Sequence, residues 1–395
     1  MKKLRIAMIS LPWLKIPPEG YGGIEYIVHY LAIELQKMGH EVELFSTKDT
    51  TTPVSKNHWY YADGQYRHIH KMLYESVTLP ITQVLFALRH IRDGKFDIIH
   101  DHNGFLGPAI MSDLNPKHYP PVLHTLHGPF STDEMVKNGM PDNRPMYMQF
   151  QPDSNLYFTG ISHAQMSNAP KQLAPMTLDV VHNTLNIDDF TFYDGPRDDY
   201  FAMIGRINRD KGVAVAAELC EELGEKLKIA GIVDGISDPR KLLVELASES
   251  SSHRTHPDFV YYRDQLLPHL IPRQIEFIGE IFGEPKNKLL IHAKALLFPI
   301  DWEEPFGMSV IDAMACGTPV VAMNRGSMPE LIQHGVNGYL ANNRREFKKY
   351  MQMVDQIDPA ACRKTVEDHF SSKVMAEQYV ERYLEVIKRA KSSRA

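Results

Sequence analysis

Apolar positions along the chain follow two rhythms. Runs such as "RIAMIS", "HEVELFS", "FDIIHDH", "PVLHTLHG", "LYFTGISH" and "LDVVHNTLNI" are short and nearly continuous, the pattern of strands covered on both faces. Between the first two runs, Ile24, Ile27, Val28, Leu31, Leu35 and Met38 recur at the period of a helix, and Gly39 ends it. Strand, glycine-containing loop, helix, strand is a βαβ unit and predicts a parallel sheet. The pattern restarts at Tyr200: "YFAMIGRINRDKG" is a strand and loop, "VAVAAELCEELG" a helix, and "KLKIAGIV", "QIEFIGEI", "ALLFPID" and "TPVVAMN" are further strands.

The expected fold is therefore α/β, with two doubly wound halves. The polar, breaker-rich stretch Asn186–Tyr200 joins them. The expected domains are 1–187 and 188–375. A last amphipathic helix, about 376–395, carries Tyr379, Val380, Tyr383, Leu384 and Ile387 and is expected to cross back to the first domain. Asp234–Asp258 reads as a surface insertion.

A length of 395 residues suits two such domains. A net charge of −6 argues against nucleic acid as a partner, which needs a basic footprint. Cys220, Cys316 and Cys362 are too few and too scattered for a disulfide framework or a zinc site, and point to the cytoplasm. The opening "MKKLRIAMISLPW" imitates a signal peptide, but its apolar run is shorter than the roughly 7–15 residues such a segment needs and reads as a first strand. No run approaches the ~18 residues of a membrane span. The basic, partly amphipathic segment Tyr66–Lys95 fits a core helix with a solvated face better than peripheral contact with a membrane.

In open α/β sheets ligands bind beyond the carboxyl ends of the strands, and for two facing domains the expected site lies between them. Three loops there carry chemistry. "WEEPFGMSVIDAMACGTPVV", from Trp302 to Val321, breaks a strand with Pro305-Phe306-Gly307 and restarts as a helix at Met308. Gly307 and Ser309 leave the first turn open, so its free N–H groups and the positive end of the helix dipole suit a phosphate. Glu304, just ahead, suits neutral hydroxyls or a developing cation; Asp312, further along, suits a ribose diol. In "GRINRDKG", Arg206 and Lys211 present a fork and a point charge fit for a diphosphate. In "PPEGYGG", Gly22 and Gly23 allow close backbone approach before a helix.

Among the histidines near strand ends, His127 in "TLHG" is placed to touch a sugar hydroxyl or an acceptor, whereas His100, His102 and His124 read as hydrogen-bonded structural residues; no metal is expected. A GxGxxG fingerprint, a P-loop and a GxSxG elbow are all missing, which disfavours a nicotinamide dehydrogenase, an NTPase and an α/β-hydrolase.

"EPFGMSVIDAMACGTPVV", "GRINRDKG", "YGGIEYIVHYLAIELQKMGHEVELF" and "TLHG", in this arrangement, resemble the retaining nucleotide-sugar glycosyltransferases of family four. The resemblance covers nearly the whole chain and implies the GT-B architecture, two facing Rossmann-like domains with the acceptor on the first and the donor on the second. It implies that Glu304 contacts the donor sugar and that Asp312, where the family has Glu, binds the ribose. It implies Arg206 and Lys211 on the diphosphate, Gly22 and Gly23 as the glycine loop, and His127 in the active site.

Phe306, Gly307, Met308 and Ser309 complete the implied donor contacts, with Glu304, His127, Arg206 and Lys211 as the catalytic set. "NTLN" from Asn183 departs from the family's usual "NG(I/V)D". The "PPEGYGGIE" opening and "YYRDQLLPHL" look like a subgroup labelled as glucosyltransferases using UDP-glucose. The implied reaction moves a hexose from a nucleoside diphosphate sugar to a hydroxyl acceptor, small molecule, glycan or lipid-linked, with retention and without a metal or other cofactor. Rival readings are a sugar-nucleotide epimerase on the same scaffold and a nucleotide-sugar-binding protein without turnover.

Overall fold

The computed structural model describes residues 2–20, 22–69, 72–137, 139–152 and 155–392. Its contacts divide the chain into two units, Met1–Leu185 with Ser372–Ala395, and Asn186–Ser371.

The first unit holds β1 (Arg5–Ile9), β2 (Glu41–Ser46), β3 (Lys56–Trp59), β4 (Ile98–Asp101), β5 (Val122–Leu126) and β6 (Leu156–Gly160). They form one parallel sheet in the order β3-β2-β1-β4-β5-β6. Every residue of β4 and β5 is buried, the polar His100, Asp101, His124 and Thr125 included, as strands covered on both faces require. Helix α1 (Gly23–Lys37) packs Ile27, Val28, Leu31 and Leu35 inward. Ile24, expected on that face, is only half-buried, and Glu25 takes the buried place beside it. Helix α2 (Thr78–Ile91) turns Val84, Ala87, Leu88 and Ile91 into the core with Ile9, Phe45, Ile99 and Phe158, so the apolar side of the basic segment is core surface. His70 and Lys71 of that segment lie outside the described residues.

The second unit repeats the plan. Strands β7 (Phe201–Ile204), β8 (Leu227–Ala230), β9 (Ile275–Gly279), β10 (Leu296–Phe298), β11 (Val320–Met323) and β12 (Gly338–Ala341) form a parallel sheet in the order β12-β11-β10-β7-β8-β9. Helix α3 (Val213–Leu223) runs between two left-handed glycines, Gly212 and Gly224, and packs Val213 and Leu219 on Phe201, Ile229 and Leu297. Helix α4 (Met308–Ala315) follows β10. The stretch expected as an insertion is built from a helix at Pro239–Ala247, N-capped by Asp238, and a 3-10 turn at Ser252–Thr255; His253 Nδ1 reaches Asp234 at 2.7 Å.

Helix α5 (Ser372–Ser392) belongs to the first unit and buries Met375, Tyr379, Val380, Tyr383 and Val386. Leu384, expected on the packed face, is 40% exposed, because the face advances through Val386 instead. Two further differences concern strands. "LDVVHNTLNI" forms no strand: it runs beside β6 with Leu178 N–H donating to Phe158 O and Val181 N–H to Gly160 O, and the one-residue slip between these bonds breaks the ladder. Strands β3 and β12, "KNHW" and "GYLA", carry too little apolar alternation to be read from sequence and sit at sheet edges.

In each sheet the strand order reverses beside the first strand, between β1 and β4 and between β7 and β10. Loops leaving the carboxyl ends there diverge and leave a crevice for a ligand. No helix among the described residues is long and apolar enough to cross a membrane.

Candidate active site

In the second unit the switch point is flanked by the loops after β7 and β10. The first begins at Gly205 and carries Arg206 and Lys211. Asn208, nearly buried, accepts from the Lys211 N–H through its side-chain oxygen at 3.2 Å and donates its own N–H to Arg206 O at 3.1 Å, which folds the loop into a tight turn. The Arg206 side chain is exposed and has no ion-pair partner among the described residues. Lys211 instead crosses to the second loop. Its ammonium pairs with Oε2 of Glu304 and lies 5.3 Å from the Trp302 ring centroid and 5.7 Å from that of Phe298.

The Glu304 carboxylate is thereby held in one pose. Oε2 accepts from both Lys211 and the Trp302 indole N–H, the latter at 2.9 Å. Oε1 has no partner among the described residues. The loop itself is splinted by residues after β11 that the sequence did not flag. Ser327, fully buried, donates its N–H to Glu304 O at 3.0 Å and its hydroxyl to Phe306 O at 2.7 Å. Gly326 donates its N–H to Glu303 Oε2 at 2.7 Å; at φ 54°, a Cβ there would sit 2.4 Å from Glu304 N and O. The "NRGSMPE" run after "TPVVAMN" was the available signal, a strand-end loop with a glycine.

Helix α4 opens at Gly307, whose φ of 93° turns the chain from loop to helix. Met308 and Ser309 form the first turn half-buried, and the Ser309 hydroxyl has no partner among the described residues. Their N–H groups precede the first intrahelical bond and face outward along the helix axis. The Phe306 ring is buried edge-on against Phe370, centroids 6.0 Å apart, so its side chain anchors the turn and only its backbone remains for a ligand. Asp312, buried on α4, accepts from Lys286 Nζ at 2.8 Å through Oδ2. A cavity of about 770 Å3 lies beside this constellation; Arg209, Gly212, Pro299 and Asp301 line it, but Lys211 and Glu304 do not.

In the first unit Gly22 precedes α1, and a Cβ there would meet Pro18 at 2.7 Å, while nothing lies within 4 Å of where a Gly23 side chain would be. Glu25, in the first turn, is buried, and burial raises its pKa to about 7 against the opposing hydrogen bond from its own backbone N–H. His127 follows β5, half-buried, with its Nε2 2.9 Å from His102 Nδ1. Burial, with His124 nearby, lowers its pKa to about 3. The other strand-end histidines are buried and hydrogen-bonded: His124 Nδ1 to Asp101 at 2.6 Å, and His100 to the Tyr383 and Thr125 hydroxyls. Among the described residues, no group of three or more His, Cys, Asp or Glu side chains is arranged to hold a metal ion. The structure thus brings Lys211, Glu304 and the start of α4 together in one unit and gathers His127 with its neighbours in the other.

The sequence matches the Glycosyltransferase Family 4 model over residues 21–183 and the Glycosyl transferases group 1 model over 193–358. The chain belongs to the family-4-like glycosyltransferases of GT-B architecture. This glycosyltransferase is 25% identical over 406 aligned residues to the D-inositol 3-phosphate glycosyltransferase of Mycobacterium sp. (strain KMS), covering 92% of this chain and 85% of that one. It is 23% identical to the N-acetyl-alpha-D-glucosaminyl L-malate synthase of Bacillus anthracis, over 69% and 70% of the two chains. Its fold is shared with a sucrose-phosphate synthase from Thermosynechococcus elongatus, TM-score 0.70 at 20% identity over 98% and 100% of the chains. It is shared likewise with Anabaena HepE in complex with UDP-glucose, TM-score 0.60 at 15% identity over 97% and 100%.

Proposed function

We propose that this glycosyltransferase moves a hexose from a nucleoside diphosphate sugar to a hydroxyl acceptor with retention of anomeric configuration. The second unit is the donor side and the first, with α5, the acceptor side. Arg206, Lys211 and the N–H groups of Met308 and Ser309 receive the diphosphate, Glu304 orients the sugar hydroxyls through Oε1, and Asp312 accepts from the ribose. Gly22 and Gly23 let the backbone approach the diphosphate, and His127 donates to the sugar or acceptor. UDP-glucose is the first donor to test, since a structural neighbour is described in complex with it.

As the C1–O bond breaks, its electron pair passes to the diphosphate oxygen. The acceptor oxygen attacks C1 on the face the leaving group has vacated, and its proton passes to a phosphate oxygen of that group. Positive charge fixed beforehand around Arg206 and α4 stabilises the growing negative charge without a cofactor. The observation that carries this reading is the Lys211–Glu304 pair: it places a cation and a carboxylate with one uncommitted oxygen beside an open helix turn. The site of action is the cytoplasm.

The test is a thermal-shift screen of nucleotide sugars followed by NMR of the product. Transfer with the donor's own anomeric configuration is expected, and Arg206→Ala is expected to slow it ~100–1000-fold. An inverted product, a donor epimerised without any acceptor, or an Arg206→Ala enzyme of near-normal rate would refute it.

A further inference from the structure

The polar cluster behind His127 is more ordered than core packing alone requires. His100, on β4, is satisfied at both ring nitrogens, Nδ1 at 2.7 Å from the Tyr383 hydroxyl and Nε2 at 2.8 Å from that of Thr125. Thr125 in turn lies 2.9 Å from the Tyr379 hydroxyl, so two tyrosines of α5 fix the His100 ring. His102, two residues on and on the same face, packs against it with ring centroids 4.1 Å apart. Fully buried, His102 directs Nδ1 at Nε2 of His127, 2.9 Å away. Its own Nε2 is sealed and has no partner among the described residues. The outer nitrogen of His127, Nδ1, makes no hydrogen bond among the described residues and is not among the sealed atoms.

Burial keeps both rings uncharged at neutral pH. A single proton therefore lies between them, and it belongs to one ring or the other. If His127 donated, His102 would carry its own proton on Nε2, an N–H sealed away from any acceptor. If His102 donates, its Nε2 is a bare acceptor and His127 must carry its proton on Nδ1. Orphaned buried N–H groups are rarer than under-satisfied acceptors, so the second arrangement is favoured. We infer that His102 is a positioning residue that sets His127 as the Nδ1–H tautomer, so that the site is offered a neutral N–H donor and not a lone pair. Such a group can hold a sugar or acceptor oxygen; it cannot take the acceptor's proton at that nitrogen. The functional consequence rests on the role proposed for His127, whereas the tautomer rests on the hydrogen-bond geometry and on the burial that keeps both rings neutral.

The test uses the full chain labelled with 15N-histidine. Long-range 1H–15N correlations at neutral pH report each ring's tautomer, and His127→Gln assigns the His127 signals. Wild type is expected to carry the His127 proton on Nδ1. His102→Asn keeps an N–H near the place of Nδ1 and is expected to preserve that pattern, whereas His102→Leu removes the donor and lets His127 revert to Nε2–H. With UDP-glucose as the probe, His102→Leu is expected to lower kcat about 10–100-fold with little change in KM, and His102→Asn to recover most of it.

A wild-type His127 with its proton on Nε2, or an unchanged tautomer in His102→Leu, overturns the inference. The wild-type spectrum decides even if His102→Leu does not fold. If the tautomers behave as expected but His127→Gln turns over donor at the normal rate, the role given to His127 fails and the positioning geometry stands.

Discussion

Lys211 and Glu304, 93 residues apart in sequence, share one ion pair that links the loops after β7 and β10. Those are the strands on either side of the point where the second sheet reverses its order. The pair therefore fixes a carboxylate and a cation where an α/β sheet opens to its ligand. Neither group acts alone, since Lys211 offsets the charge of Glu304 and Glu304 aims Lys211.

Breaking that pair from one side should be worse than removing it whole. The two side chains are 14% and 10% exposed, so Lys211→Met leaves a nearly buried carboxylate with the Trp302 indole as its remaining donor. The expected loss of stability is about 3–5 kcal/mol. Lys211→Met/Glu304→Gln should recover most of it in urea unfolding. A double variant as unstable as the sum of Lys211→Met and Glu304→Gln would show that the pair carries no coupling.

Gly326→Ala tests the splint behind Glu304. The added methyl would meet Glu304 backbone atoms at 2.4 Å, so the loop carrying Glu304 must move. Displacement on the scale of 1 Å costs ~100-fold in rate. A steady-state assay should show that loss with circular dichroism unchanged. A Gly326→Ala enzyme of normal rate would mean that the loop position does not matter.

Much of this was legible and some of it could not be. The short, apolar-rich runs around β1, β2, β4 and β5 report burial on both faces, so they could be read directly. β3 could not, because "KNHW" is an edge strand with no buried residue and no apolar alternation. The string from Trp302 to Val321 and the loop of Arg206 and Lys211 are contiguous, and local spacing exposed them. What sequence could not supply was partnership across strands. Ser327 on Phe306, Lys286 on Asp312 and His102 on His127 each depend on sheet order and register, which local pattern does not encode.

Glu25 should make the protein less stable as pH rises. Its folded pKa, about 7, lies above the unfolded value of 4.5, so the unfolded state loses its proton first. Below pH 4.5 the residue has no effect; through the window from 4.5 to about 7 stability falls, by roughly 3 kcal/mol at the top. Glu25→Gln should match wild type in urea unfolding at pH 4.5 and exceed it at pH 8. Parallel wild-type and Glu25→Gln curves across that range would contradict the burial account.

The histidine cluster acts in the opposite direction. Burial lowers His127 from 6.5 to about 3, so as pH falls below 6.5 the unfolded state gains a proton that the folded state refuses. Stability should drop by at most about 1.4 kcal/mol per pH unit from this residue between 6.5 and about 3. His127→Gln should flatten that part of the profile. An unchanged slope would mean that the ring is hydrated and titrates normally.

We propose that the second unit receives a diphosphate on Arg206, Lys211 and the first turn of α4. A crystal structure with the nucleoside diphosphate that most raises the melting temperature, chosen among UDP, ADP, GDP and TDP, tests it most directly. Phosphate oxygens are expected within hydrogen-bonding reach of the Arg206 guanidinium, the Lys211 ammonium and the N–H groups of Met308 and Ser309, with Glu304 Oε1 left facing the sugar position. A diphosphate held elsewhere, with these groups untouched, would contradict it.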